Sequence, residues 1–161
     1  MALIVKIEEL DPRLPKELKK NLGGENALKC FQCGSCVATC IVSRVDPRFN
    51  VRVLIKRAVL GFKDVLKDPL IWVCSTCESC IEKCPQGVKP YELLLAIKNL
   101  AVKKGFFPSF IEKILEEVCR HGRIYEINEF INWDREEQGL PPLKEEVKPP
   151  SKVLDLLKVV S

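Results

Sequence analysis

The amino-acid sequence predicts an all-α fold with an extension at each end. Two cysteine runs repeat the same spacing, a segment with helical periodicity connects them, and two proline pairs follow them. In the connecting segment, Val51, Leu54 and Ile55 recur at the i, i+3, i+4 spacing of an amphipathic helix. Because the link between the repeats is helical rather than strand-like, the sequence favours an all-α domain.

Helix boundaries in the first half follow from glycine and proline, which terminate helices. Gly23-Gly24, Asp46-Pro47 and Gly61 mark three such ends. The helices predicted between these breaks cover residues 15–20, 36–44, 51–60 and 69–73.

The second half has equally clear boundaries. Pro90 suits the first turn of a helix that Gly105 ends. Ser109 and Glu112 have the spacing of a capping box that begins the next helix, which ends before Gly122. The predicted helices cover residues 80–84, 91–104, 109–121, 132–138 and 153–160, and in the second of these we expect burial of Leu94, Leu95, Ile97 and Ala101.

These elements divide the chain into three predicted parts. Residues 1–24 form an N-terminal arm, residues 25–139 form the helical domain, and residues 140–161 form a Pro-rich linker with a short helix. At 161 residues, the chain has the length of one domain with extensions.

The repeat consists of two runs that hold eight of the nine cysteines. The runs are Cys30-x2-Cys33-x2-Cys36-x3-Cys40 and Cys74-x2-Cys77-x2-Cys80-x3-Cys84-Pro85. Bacterial-type ferredoxins use this spacing to hold 4Fe–4S clusters, and the fourth cysteine of each run ligates the other cluster. We therefore expect two 4Fe–4S clusters, the first held by Cys30, Cys33, Cys36 and Cys84, and the second by Cys74, Cys77, Cys80 and Cys40.

Zinc sites and disulfides are the alternatives for so many cysteines. Zinc sites usually combine two Cys-x2-Cys pairs across a spacer, which is a different layout. Disulfides belong to oxidising compartments, whereas the first residues lack the basic region of a secretory signal. The pattern favours clusters over both alternatives and predicts a cytoplasmic protein.

Charge gives little support for nucleic-acid binding. The formal charge is +4 with neutral cysteines, and two clusters with their thiolates would add about four negative charges. The basic residues are also spread along the chain without a stripe interleaved with aromatic residues. No apolar run approaches the length of a membrane span.

Side chains beside the cysteines are candidates for shielding and tuning the clusters. We expect Phe31 and Trp72 to exclude water. The expected donors of hydrogen bonds to cluster sulfur, which raise the reduction potential, are Gln32, Ser35, Thr39, Ser75, Thr76 and Ser79. The ninth cysteine, Cys119, shares a predicted helix face with Ile111 and Leu115, and we expect it to be buried.

Motifs for substrate chemistry are absent from the sequence. It contains no G-x-G-x-x-G or P-loop pattern, one histidine and no Cys-Cys-Gly motif. Two clusters without such motifs predict electron transfer, and no catalytic residues are expected.

Four segments carry a resemblance to a known family. They are Cys30-Phe31-Gln32-Cys33-Gly34-Ser35-Cys36, the second run from Cys74 to Pro85, Asp68-Pro69-x-Ile71-Trp72-x-Cys74, and Gly139-Leu140-Pro141-Pro142. With these segments the chain resembles the C subunit of heterodisulfide reductase over about residues 25–143. The resemblance implies the α-helical ferredoxin fold, as in the iron–sulfur protein of succinate dehydrogenase.

The resemblance also implies a role and partners. In this family, the C subunit relays electrons between a flavin-containing A subunit and a catalytic B subunit with Cys-Cys-Gly motifs. Methanogens use the complex to reduce the coenzyme M–coenzyme B heterodisulfide, and related complexes act in sulfur oxidation. The chain is then a non-catalytic electron-transfer subunit of an oxidoreductase that acts on disulfide or sulfur groups.

Two other interpretations remain open at this point. The chain could be the iron–sulfur relay of another dehydrogenase, of the anaerobic glycerol-3-phosphate dehydrogenase or fumarate reductase type. Alternatively, it could be a metal-bound interaction module without a redox function. The partner proteins distinguish the first alternative, and reversible reduction of the clusters distinguishes the second.

Overall fold

The computed structural model describes residues 7–144 and residue 147. The all-α prediction is confirmed, because the regular elements of this part are helices and the only extended pairing is an isolated bridge between Leu10 and Phe62. The predicted helix over 153–160 and the first six residues of the predicted arm lie outside the described residues. None of the described helices is long and apolar enough to cross a membrane.

Eight α-helices follow one another along the described chain. They are α1 (Leu14–Lys20), α2 (Ser35–Ala38), α3 (Ile41–Val45), α4 (Val51–Val59), α5 (Ser79–Glu82), α6 (Pro90–Lys103), α7 (Ser109–His121) and α8 (Glu129–Glu137). Short 3₁₀ helices cover Ile7–Glu9, Ala27–Lys29, Lys63–Lys67 and Pro69–Trp72.

The helices belong to two compact units, one ending at Phe106 and one beginning at Phe107. The first unit contains both cysteine runs and a hydrophobic core formed mainly by α1, α4 and α6. The predicted boundaries at 24/25 and 139/140 stay a prediction.

Helices α4 and α6 form the centre of the first unit because each has a continuous apolar face. In α4, Leu54 and Ile55 are buried, and in α6 Leu93, Leu94 and Ile97 are buried. Burial of one such side chain contributes about 1.5–3 kcal/mol. Of the burial expected in α6, Leu94, Ile97 and Ala101 are buried, whereas Leu95 is only half-buried.

A glycine lets the turn after α1 pack against that helix. A Cβ atom on Gly24 would overlap the carbonyl oxygen of Leu18, so any side chain would force the two segments apart. Helix α1 ends at Lys20 with Asn21 as its C-cap, before the predicted Gly23-Gly24 stop, and Gly24 allows the following turn to pack closely against the helix.

The prediction of one helix over 36–44 is wrong. The chain forms α2 and α3 instead, with Cys40 between them in an extended conformation (φ −75°, ψ 118°). The Cys40 sulfur accepts a hydrogen bond from the backbone N–H of Ser43, 3.5 Å away, and caps α3. The helical pattern of the sequence continues across Cys40, but the extended backbone of this residue separates α2 from α3.

The second unit contains α7 and α8 and departs from the sequence predictions in two details. Pro108 rather than Ser109 is the N-cap of α7, so Ser109 is the first helical residue and does not occupy the predicted capping-box position. Helix α8 begins at Glu129 rather than 132, because the Asn128 side chain accepts a hydrogen bond from the N–H of Ile131. Asn132 in α8 then exchanges two hydrogen bonds with the backbone of Leu143.

Candidate iron–sulfur centres

The two cysteine loops share an unusual backbone. Gln32 and Gly34 in the first loop have φ of 65° and 87°, and Thr76 and Glu78 in the second have φ of 58° and 59°. Positive φ is unfavourable for residues other than glycine. Both loops place left-handed residues at the same two positions, and both lead directly into a helix, α2 or α5. The shared backbone conformation therefore follows from the shared cysteine spacing.

The first loop surrounds a pocket with four cysteines on its wall. They are Cys30, Cys33, Cys36 and Cys84, the last of which comes from the second run. The Arg52 and Ile55 side chains from α4 line the same pocket, together with Gln32 and Val88.

A second pocket has the other four cysteines on its wall. They are Cys74, Cys77, Cys80 and Cys40, so here the fourth cysteine comes from the first run. Phe49, Val51 and Leu94 supply apolar wall, and the exposed acidic residue Glu78 also lines this pocket. The cysteines at each pocket are the set that the sequence assigned to one cluster, whereas ligation itself stays a prediction.

The donor set of each pocket fits a 4Fe–4S cluster. Such a cluster requires four thiolates, and each pocket has four free cysteines on a largely apolar wall. In the described part of the chain, no three His, Cys, Asp or Glu side chains lie close enough together to bind a single metal ion. The sulfurs are instead distributed around two pockets.

The sulfurs differ in exposure in the same way in both runs. Cys33 and Cys77 are exposed, while Cys36 is buried and Cys80 is half-buried. Burial raises the pKa of Cys36 to about 11 and also raises the pKa of Cys80. The interior thiols therefore lose their protons readily only when a metal binds the sulfur in place of the proton.

Hydrogen bonds from neighbouring serines act in the opposite direction at the exposed sulfurs. The Ser35 hydroxyl lies 3.4 Å from Cys33 Sγ, and its hydrogen bonds lower the pKa of Cys33, with a smaller contribution from the Arg52 charge. Hydrogen bonds from Ser79 and then Ser75 lower the pKa of Cys77. These donors stabilise negative charge on sulfur, which is the form that ligates iron.

Two further sulfurs of the first pocket receive hydrogen bonds from amide groups. Gln32 Nε2 donates to Cys30 Sγ over 3.2 Å, and the N–H of Val88 donates to Cys84 Sγ over 3.4 Å. Of the predicted donors, Gln32, Ser35, Ser75 and Ser79 thus interact with sulfur. The hydrogen bonds of the described residues include none from Thr39 or Thr76 to a cysteine sulfur.

Several predictions about other side chains need correction. Cys119 is exposed rather than buried, although Ile111 and Leu115 on the same face of α7 are half-buried. Phe31 lines the first pocket but is 59% exposed, so it shields the pocket only in part. Trp72 packs against the core and lines neither pocket, with the Lys98 amine 5.8 Å from its ring centre.

Arg52 is a pocket residue that the sequence alone does not identify. Arg52 lies on α4 between Val51 and Val53, and helical periodicity predicts only that this position is partly exposed, as it is. The signal that identifies its role is spatial, because the first cysteine loop folds over this turn of α4.

Comparison with known proteins places these features in a family. The 4Fe-4S dicluster domain family matches residues 26–88, which include both runs. The chain is 34% identical to the C subunit of ferredoxin:CoB-CoM heterodisulfide reductase of Methanosarcina mazei, over 91% of this chain and 92% of that protein. The family match and the two runs confirm the prediction that the chain binds two 4Fe–4S clusters.

Two further relatives support the same grouping. The C subunit of H(2):CoB-CoM heterodisulfide,ferredoxin reductase of Methanothermobacter thermautotrophicus is 33% identical over 87% of this chain and 75% of its own length. A protein of Archaeoglobus profundus, named as similar to the heterodisulfide reductase C subunit, is 34% identical over 89% of this chain and 72% of its own length.

Proposed function

This chain belongs to the family of heterodisulfide reductase C subunits, and we propose that it is the electron-transfer subunit of a heterodisulfide reductase or a related complex. In this proposal it relays single electrons between a flavin-containing A subunit and a catalytic B subunit. The relatives are named as subunits of oxidoreductases, and the role of a non-catalytic relay is our extension to this chain.

The observation that carries the proposal is the presence of two four-cysteine pockets in one compact unit. Each pocket takes three cysteines from one run and one from the other. In the proposed ligation, Cys30, Cys33, Cys36 and Cys84 hold the first cluster, and Cys74, Cys77, Cys80 and Cys40 hold the second. The exchange of Cys40 and Cys84 ties the two loops together and keeps the clusters near each other.

The chain's own residues fit a relay in two ways. The apolar walls, which include Ile55 at the first pocket and Leu94 at the second, limit the access of water. Hydrogen bonds from Gln32 and Ser35 stabilise negative charge on sulfur. When bound, each cluster supplies a site for one electron.

Each pocket also reaches the molecular surface. Cys33 is the exposed sulfur of the first pocket and Cys77 is the exposed sulfur of the second. An exposed ligand on each cluster fits an electron entering at one surface and leaving at another. We assign no substrate-binding group to this chain, so the disulfide or sulfur chemistry belongs to the partner that receives the electrons.

Purification of the native complex tests this function. An affinity tag on the chain should recover, under anaerobic conditions, a flavoprotein and a second protein with Cys-Cys-Gly motifs. Reduction of the flavoprotein should then reduce the clusters of this chain before the Cys-Cys-Gly protein is reduced. Recovery of a flavin dehydrogenase without a Cys-Cys-Gly protein would contradict the proposal and favour a relay for another dehydrogenase.

A further inference from the structure

We propose that Arg52 and Gln32 give the cluster at the first pocket the higher reduction potential, so that the electron of the singly reduced chain resides there. This inference rests on the ligand sets proposed above. It extends that function by ordering the two clusters, and it assigns Arg52 and Gln32 as residues that tune the potential.

Arg52 places a positive charge at the first pocket. Its half-buried side chain lines that pocket, and its Cδ lies 4.0 Å from where a Cβ on Gly34 would be. None of the ion pairs in residues 7–144 includes Arg52. Because reduction adds a negative charge to a cluster, an unneutralised cation at its edge favours the reduced state.

Gln32 adds a hydrogen bond at the first cysteine of its run, where the second run has no counterpart, although Ser75 gives Cys77 a second hydroxyl donor. Gln32 Nε2 donates to Cys30 Sγ over 3.2 Å, and hydrogen bonds to cluster sulfurs are one of the factors that set the potential. The residue at the same step of the second loop is Thr76, which has the same left-handed backbone. Its shorter side chain makes no hydrogen bond with Cys74 in the part of the chain that the structure describes.

The second pocket has a different balance of charge. Of the described residues on its wall, Glu78 is the only charged one, and the negative charge of this exposed side chain disfavours the reduced state. Lys98 opposes this effect through its electrostatic interaction with Cys74, but its amine packs over Trp72 and is absent from the pocket wall. Glu78 and Lys98 therefore bring charges of opposite sign to the second pocket, whereas the described wall of the first pocket has Arg52 and no acidic residue.

The test is an anaerobic redox titration of the full-length chain with both clusters, followed by EPR. Cys33→Ser and Cys77→Ser assign the signals, because each alters a ligand at one pocket only. In the unsubstituted chain the first-pocket signal should appear at the higher potential. Arg52→Gln should lower the equilibrium constant for reducing that cluster on the order of tenfold, about 59 mV for one electron.

Three further variants separate tuning from structure. Arg52→Lys keeps the charge and should retain most of the native potential. Lys56→Gln removes one exposed positive charge from the same helix, away from the pocket wall, and should change neither cluster by more than about twofold. Gln32→Met removes the hydrogen bond at similar side-chain length and should lower the first potential alone.

The outcomes distinguish the two levels of the proposal. A higher potential at the second pocket in the unsubstituted chain would overturn the inference, as would equal shifts in Arg52→Gln and Lys56→Gln. Both results leave two reducible clusters and so leave the electron-transfer function standing. A chain with fewer than two reducible clusters would overturn that function and the inference with it. If Arg52→Gln fails to assemble its clusters, two measurements still test the inference. They are the order of the two potentials in the unsubstituted chain and the shift of the first potential in Gln32→Met.

Discussion

The two cysteine loops have nearly the same backbone but different side chains around them. Each loop has two left-handed steps, an exposed sulfur beside a serine, and a more buried sulfur three residues later. At the left-handed steps the first loop has Gln32 and Gly34, whereas the second has Thr76 and Glu78. The comparison indicates that cysteine spacing determines the loop, while the residues between and beside the cysteines give each pocket its own electrostatics.

Removal of iron should have the largest effect and should abolish both loops together. Ligand thiolates are held in place by metal, and burial leaves the Cys36 thiol protonated without it. We expect chelation to unfold residues 28–90 and to reduce the helical circular dichroism strongly. A chelated chain that keeps its native helical signal would contradict this expectation.

Substitution of Cys84 or Cys40, the cysteines that reach the pocket of the other run, should remove one cluster at a time. Cys84→Ser should remove the first cluster, although Cys84 follows the second loop, and Cys40→Ser should remove the second. Each variant should lose about four of about eight irons. Cys119→Ser is the matched control, because Cys119 is exposed and lies outside both pockets. If Cys84→Ser instead lost the second-cluster signal, the exchanged ligation would be wrong.

Substitutions at the left-handed positions should change the free energy of unfolding in opposite directions in the two loops. Gly34 has φ of 87°, so Gly34→Ala should lower the free energy of unfolding by about 1–2 kcal/mol. Glu78 has φ of 59°, so Glu78→Gly should raise it by up to about 1 kcal/mol. Anaerobic denaturation curves measure both changes.

Glu78→Gln provides the control for these two variants. It removes the carboxylate and keeps a side chain at the left-handed position, so the free energy of unfolding should change little. A gain in stability as large as that of Glu78→Gly would show that charge, rather than backbone conformation, limits the second loop.

Removal of the serine hydroxyls should have the smallest effect and should be specific to one loop. Ser35→Ala removes the contact with Cys33 Sγ, and Ser79→Ala removes the side-chain hydrogen bond at Cys77. Each should lower the reduction equilibrium of its own cluster on the order of threefold, since such a bond contributes only about 1 kcal/mol net. An EPR-monitored titration in which one variant shifted both clusters equally would contradict the separation of the loops.

The sequence predicts the helical class and the grouping of cysteines around the pockets, because spacing along the chain constrains which sulfurs can face one cluster. The sequence does not predict the break at Cys40, because the apolar pattern runs on from α2 into α3. The backbone of Cys40 is nevertheless extended, and its sulfur caps α3. Arg52 could not be found from periodicity, since its role depends on a loop folding over α4. Cys119 has a helical spacing that suggests burial, but spacing cannot show how much of a face is covered.

The most direct test of the central claim is the iron and sulfide content of the anaerobic chain, measured together with EPR of the dithionite-reduced protein. We predict about eight irons per chain and two magnetically interacting 4Fe–4S signals. Bound zinc, or clusters that cannot be reduced, would contradict the electron-transfer account and favour a structural module.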